Sequence, residues 1–222
     1  MTTVYIIRHG TTYGNAEGLF QGWIDTPLNE MGHKQAEFLG ERFKDIQLDA
    51  VYASPLIRTR QTAEGLCKYK DLPIIECAGL IEINGGDLEG VAFEYIREHY
   101  KKEMEHMVNS PSKFAPPNGE TMRQVYDRIS KAIDDIAYKN DGGTVAVVSH
   151  GCAIQNYIHY TTKLPYDEMS GFVMSNAAVT KVLYNFKNNT ITTEFFNDEG
   201  HIPGEFRSIP NRRPKQELTM TL

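Results

Sequence analysis

Two stretches of this chain carry an uninterrupted apolar strand straight into a histidine and a glycine. Val4-Tyr5-Ile6-Ile7 leads into Arg8-His9-Gly10, and Thr144-Val145-Ala146-Val147-Val148-Ser149 leads into His150-Gly151. A strand whose residues do not alternate apolar with polar is buried on both faces, which points to a largely parallel sheet covered by helices on each side. In such open sheets ligands bind beyond the carboxyl ends of the strands. Both histidines therefore fall where a ligand would sit, with Arg8 beside the first and Gly10 allowing a tight backbone turn. Taken alone, the first tripeptide reads more readily as a strand ending in a polar turn. Its meaning rests on what the rest of the chain supplies.

The intervening sequence supplies an alternation of helices and strands. Thr11 to Pro27 is rich in Gly, Asn and Thr and reads as a long loop folded over a site. Asn29 caps a helix whose apolar positions Met31, Phe38, Leu39, Phe43 and Ile46 keep helical spacing, with Gln35 the polar exception. Ala50–Ala53 predicts a second buried strand. It ends at Ser54-Pro55, where Pro55 suits the first turn of a helix carrying Arg58, Arg60 and Gln61. Pro73–Cys77 predicts a third strand, followed by a glycine-rich loop from Leu80 to Gly90 with Glu82 at its start. From about Glu89 to Met107 the chain is helical in pattern and strongly charged, and Ser110–Gly119 is a Pro-rich break.

The region at about 88–117 is expected to be an inserted cap over the site. A helix bearing Met122, Val125, Ile129, Ile133 and Ile136 on one face comes next, and another runs from about Cys152 to Thr162. Two late strands, near Ala178–Tyr184 and Thr190–Phe196, are joined by an Asn188-Asn189 hairpin turn. The tail at about 201–222, with Pro203, Pro210, Pro214 and Arg212-Arg213, is assigned no structure. The expected architecture is α/β: a mostly parallel sheet with helices on both faces and an antiparallel edge, in a single domain over residues 1–222.

Composition narrows the function classes. A formal net charge of −6 argues against a general nucleic-acid or anionic-membrane binder, so any phosphate site must be a local concentration of positive charge. The odd, widely spaced Cys67, Cys77 and Cys152 fit neither a disulfide framework nor a zinc site, and reduced thiols in a cytoplasm are the simplest account. The sequence begins without a basic and then apolar leader and contains no run of membrane-spanning length. A cytoplasmic protein with no cofactor, no bound metal, and neither a nucleic-acid nor a membrane partner is expected.

His9, Arg58, Glu82 and His150 all fall just past strand ends, so the expected sheet brings them to one edge. Two imidazoles, two guanidiniums and a carboxylate suit phosphoryl transfer, where positioning and charge stabilisation dominate. Arg8 and Arg58 offer permanently charged, fork-shaped donors for phosphoryl oxygens. A neutral histidine is a competent nucleophile near pH 7, and a second can donate to the transferring group. A carboxyl group held protonated can give its proton to the leaving oxygen and then take one from water, which predicts a fall in activity at alkaline pH. Glu82 is the expected carboxyl; Glu76, Asp87, Glu89 and Glu120 are the alternatives by residue type.

The segment Arg8-His9-Gly10-Thr11-Thr12-Tyr13-Gly14-Asn15 resembles the signature of the histidine phosphatase (phosphoglycerate mutase-like) superfamily. The resemblance continues through Gln21–Leu28, Ser54–Ala63, Glu82 with its Gly-Asp-x-Glu-Gly tail, Pro117–Glu120 and Ser149-His150-Gly151, in the family's order from residue 4 to about 160. It implies a three-layer α/β/α sandwich with a small helical cap. It also implies His9 as the phosphorylated nucleophile, Arg8, Arg58 and His150 as the rest of the phosphate pocket, and Glu82 as the proton donor. Asn15, Gln21, Gly22 and Gly151 match positions beside the bound phosphate or substrate. No metal is implied.

Glu82 is followed by Ile83-Asn84-Gly85-Gly86-Asp87, where the mutases of this family usually carry an Arg-His-Tyr-Gly type segment. The resemblance is therefore to the phosphatase branch, and a phosphomonoesterase acting on a small phosphate ester is expected. The alternatives are a phosphoglycerate mutase and a catalytically inactive binding module of the same fold. Cys152 stands where a second glycine is common, and Leu88 where a tryptophan is frequent; both departures bear on substrate fit more than on chemistry.

Overall fold

A computed structural model of the chain describes residues 1–165, 167 and 174–208. Six strands form one sheet: β1 (Thr2–Arg8), β2 (Ala50–Ala53), β3 (Ile74–Glu76), β4 (Thr144–Ser149), β5 (Val179–Asn185) and β6 (Thr190–Asp198), in the order β3-β2-β4-β1-β5-β6. The first four are mutually parallel, and β5 and β6 add an antiparallel hairpin at one edge. The register places Arg8 opposite Ser149 and Ala53 opposite Val148, so β1, β4 and β2 end side by side. That alignment is what gathers the site.

The apolar strands bury both faces, as their composition requires. Val4, Ile6, Val145 and Val147 pack with Val125, Ile129 and Ile133 of α6 (Met122–Lys139) and Ile154 and Tyr157 of α7 (Gly151–Thr162). The alternate residues Ile7, Val51, Ala146 and Val148 pack with Leu39 and Phe43 of α2 (Glu30–Phe43) and with Ala63 and Leu66 of α3 (Ile57–Leu66). Each buried Val, Leu, Ile or Phe among them contributes roughly 1.5–3 kcal/mol of transfer free energy, so the three-layer arrangement follows from the strand pattern. Thr121 caps α6 and Asn29 caps α2, each side chain accepting a first-turn backbone N–H.

Several expectations are corrected. The loop from Thr11 to Pro27 contains a short helix, α1 (Tyr13–Ala16), because Thr12 and Asn15 close a capping box around its first turn. The charged stretch after Glu89 is two helices, α4 (Phe93–His99) and α5 (Lys101–Asn109), broken where Tyr100 leaves helical dihedrals at φ −116° and ψ 52°. Ile96 of α4 is fully buried, and Phe93, Tyr100, Met104 and Met107 pack against the same core cluster as α6 and α7. On α2 the expected apolar Met31 is exposed while the polar exception Gln35 is fully buried.

The tail is also corrected over its first residues. Ile202 is buried, Gly204–Phe206 form a 3-10 turn, and the Phe206 ring lies 5.4 Å from that of Phe38. Two apolar anchors among prolines and glycines suffice to pin the segment to α2 without any helical or alternating pattern. Pro210, Pro214 and Arg212-Arg213 lie outside the described residues. Among the described residues no helix is long and apolar enough to cross a membrane.

Candidate active site

The site lies at the carboxyl edge of β1, β4 and β2. His9 follows β1 directly and is held by the sheet ladder continuing past the strand, its N–H donating to Ser149 O at 3.0 Å. The next residue is pressed against a helix: a Cβ on Gly10 would come within 2.7 Å of Gly32 O, near the start of α2. Gly10 N–H donates to Thr62 Oγ1 of α3 at 3.0 Å. Two helices thus clamp the backbone that carries His9.

His9 is 4 % exposed, and its Nδ1 lies 2.7 Å from Gly10 O. A carbonyl oxygen only accepts, so Nδ1 carries the proton and the neutral ring leaves Nε2 with a free lone pair. Burial holds the His9 imidazole well below its ordinary pKa, and the Arg58 and Arg8 cations push in the same direction against the opposing Gly10 bond. His150, fully buried, has its ring centroid 5.3 Å from that of His9. Arg58 Nε donates to its Nδ1 at 3.2 Å, and its Nε2 lies 2.8 Å from Ser54 Oγ. Since a guanidinium only donates, His150 Nδ1 is an acceptor here and Nε2–H donates to Ser54. Burial, then Arg58 and His9, keep this ring neutral as well.

Arg58 sits in the first turn of α3 and is fully buried. Besides His150 it donates through Nη2 to Gly22 O at 2.7 Å and through Nη1 to Ile24 O at 2.8 Å. Burial pushes its pKa down to about 10, opposed by Glu82, Asp25 and Glu89, so it stays cationic at neutral pH. Arg8 donates through Nη1 to Met174 O, while its buried Nε has no partner among the described residues. Gly151 leaves the room: a Cβ there would stand 3.4 Å from Arg8 Nε. Burial lowers the Arg8 pKa too, and the Glu82 carboxylate opposes the shift.

Glu82 is 7 % exposed and lies at the start of α7. Its carboxyl oxygens accept from Ala153 N at 2.9 Å, Cys152 N at 3.1 Å and Ile83 N at 3.0 Å. The four other carboxylates considered from sequence are committed elsewhere. Glu76 is exposed and pairs with Arg60, Asp87 accepts from Asn118, Glu120 pairs with Arg128, and Glu89 is enclosed by backbone amides. Among the described residues no group of three or more His, Cys, Asp or Glu is placed to hold a metal ion.

Of the flanking positions, Asn15 accepts through its Oδ1 from Thr12 N and Thr12 Oγ1 in the capping box. Gln21 accepts from Thr12 Oγ1 at 2.7 Å, and its buried Nε2 has no partner among the described residues. Gly22 packs on the Ile83–Gly85 segment, where a Cβ would meet Ile83 O at 2.3 Å. Asn176 was not foreseen from sequence: its Nδ2 donates to His9 O at 3.0 Å and to Asn15 Oδ1 at 3.3 Å. Nothing local marks it, since its partners are 161 and 167 residues away. Gln35 was signalled by its interruption of an apolar stripe. Its Oε1 accepts from Thr11 N at 2.8 Å and Thr11 Oγ1 at 3.0 Å, and its Nε2 donates to Phe206 O at 2.7 Å.

A model of the histidine phosphatase superfamily (branch 1) matches residues 4–198, a span that takes in every one of these side chains. The chain belongs to that superfamily. Phosphoserine phosphatase 1 of Hydrogenobacter thermophilus is 33 % identical over 150 residues, 68 % of this chain and 71 % of that one. The probable phosphoglycerate mutase GpmB of Shigella boydii is 31 % identical over 184 residues, 83 % of this chain and 86 % of its own. Among solved structures, YhfR of Bacillus stearothermophilus superposes with a TM-score of 0.86 at 32 % identity, covering 90 % of this chain and 99 % of that one. The histidine phosphatase fold is thus shared across proteins named as phosphatases and as mutases.

Proposed function

We propose that the protein is a metal-independent phosphomonoesterase that hydrolyses a small phosphorylated metabolite through a phosphohistidine on His9. The observation that carries this reading is the state of His9: a buried neutral ring, its Nδ1–H fixed to Gly10 O, its Nε2 lone pair free, between two arginines. In the first step Nε2 attacks phosphorus and the P–O ester bond breaks, the bonding pair leaving on the substrate oxygen. Glu82 is the carboxyl placed to deliver a proton to that oxygen. A water then attacks the phosphohistidine, gives its proton to Glu82, and the P–N bond breaks to return Nε2 and release inorganic phosphate.

Arg8 and Arg58 donate to the phosphoryl oxygens, and the unpartnered Arg8 Nε supports that role. The arriving anion favours protonation of His150 at Nδ1, which then donates to the phosphoryl group in place of accepting from Arg58. Asn15, Gln21, Gly22 and Gly151 flank the bound ester; the orphan Gln21 Nε2 is a donor suited to its oxygens. The protein works as a single domain with the segment at about 88–117 as its cap, and the three unpaired cysteines and net charge of −6 support a cytoplasmic enzyme of small-molecule metabolism.

The test is hydrolysis of an aryl phosphate in the presence of EDTA by the native protein and by His9→Ala. Activity present in the first and absent in the second is expected. Chelator-sensitive activity, or activity surviving His9→Ala, refutes the reading. The relative named as a probable mutase makes 3-phosphoglycerate the second substrate to offer; isomerisation faster than any hydrolysis would replace the phosphatase reading with that of a mutase.

A further inference from the structure

We propose that Glu89 is a positioning residue for Arg58, acting through the backbone of Gly22, Trp23 and Ile24. This rests on the proposed phosphatase reading and adds a group that does not touch the substrate. The Glu89 carboxylate lies in a concavity of main-chain donors. Oε1 accepts from Trp23 N at 2.7 Å and Gly85 N at 2.7 Å, and Oε2 accepts from Ile24 N at 2.9 Å and Gly22 N at 3.2 Å. Three successive N–H groups aimed at one anion form the kind of nest that elsewhere binds phosphate or a cluster. Here a side chain of the protein itself occupies it.

The opposite side of the same tripeptide faces Arg58, whose two Nη groups donate to Gly22 O and Ile24 O. The link is mechanical. Gly22 C=O and Trp23 N–H belong to one peptide unit, which is planar and trans, so they point in opposite directions from a rigid plate. One end of that plate is held by Glu89 Oε1 and the other receives Arg58 Nη2. A tilt that lengthens the first contact re-aims the second. Trp23 adds a second tether from the loop, donating through Nε1 to Glu82 O at 2.8 Å. Gly22 admits no side chain here, since a Cβ would stand 2.2 Å from Glu89 Oε1. A third Arg58 donor, Nε, reaches His150 Nδ1, so the aim of the guanidinium governs both its own fork and the second histidine.

Glu89→Gln keeps the size of the side chain but faces part of the nest with an NH2 group, which repels N–H donors. A double-mutant cycle on aryl phosphate hydrolysis separates action through Arg58 from general support of the fold. Glu89→Gln is expected to lower kcat/KM by 10-fold or more in the native background, and by less than 2-fold in an Arg58→Ala background. Equal losses in both backgrounds overturn the proposal. A second readout is the 15N spectrum of the arginine side chains. The native protein is expected to give resolved Arg58 Nη signals that merge in Glu89→Gln; unchanged signals overturn the proposal. This spectrum needs no turnover, so it tests the Glu89–Arg58 link even if the native protein hydrolyses no ester and the phosphatase reading falls. If Glu89→Gln does not fold, the same cycle and spectra on Glu89→Asp, which retains the anion, decide by the same criteria.

Discussion

The two buried neutral histidines make stability depend on pH in a way that can be measured without any substrate. His9 and His150 are held well below the ordinary histidine pKa by burial and by the neighbouring arginines. Above about pH 6.5 both are neutral in the folded and the unfolded chain and contribute no pH dependence. Below that value the unfolded chain takes up protons that the folded protein refuses, so stability falls as the pH falls. Each group costs about 1.4 kcal/mol per pH unit while its folded form stays neutral. While both rings stay neutral the pair costs about 2.8 kcal/mol per pH unit. For a chain of this size that corresponds to a fall in Tm of roughly 6–11 °C per pH unit.

The assay is thermal unfolding of the native protein and of the double variant His9→Asn/His150→Asn from pH 7.5 to pH 5. Only the difference in slope is compared, so the absolute stability of the variant does not matter. His201, half-buried and lowered to about 4 by that burial and by Arg42, contributes equally to both proteins and cancels, as do the carboxylates. The native protein should lose Tm more steeply below pH 6.5 than the double variant. Parallel curves would mean that these rings accept protons in the folded state. The electrostatic account of the site would then be wrong.

Two further outcomes test how the rest of the chain supports the site. Gln35→Leu leaves Thr11 N–H, Thr11 Oγ1 and Phe206 C=O without their buried partner, and should cost about 2–4 kcal/mol in urea unfolding. It should also lower aryl phosphatase activity, because Thr11 is two residues from His9; full stability would show that the apolar stripe tolerates a leucine there. Ile202→Ala removes one of the two anchors of the segment after β6 and should cost about 2–4 kcal/mol by the same assay, whereas a cost below about 0.5 kcal/mol would mark that segment as a surface appendage.

What could be read from sequence follows from where its signals are local. The unbroken apolar runs before His9 and His150 report burial on both faces, and burial on both faces dictates the parallel layers. The cap at Asn29 is equally local, since it concerns a backbone group within one helical turn, whereas Pro55, expected in the first turn of α3, stands one residue before its Leu56 cap. Glu82 was legible as the acid at the start of a glycine loop, and the structure adds that it sits on the first amides of α7. The break at Tyr100 was missed because charge alone does not reveal where a short amphipathic helix must bend to keep Ile96 and Met104 on one core.

By itself, then, the sequence determined the layers of the sheet and the edge to which His9, Arg58, Glu82 and His150 are brought. Each of those depends on a residue and its near neighbours. Only the tertiary structure decided which nitrogen of His150 carries the proton, where the Arg58 fork points and what the carboxylate of Glu89 holds. Those contacts join residues 22–24, 58, 89 and 150, which lie far apart in the chain. Hydrogen-bond direction and charge depend on distances of a few tenths of an ångström between groups far apart in the chain, and no pattern along the chain encodes them.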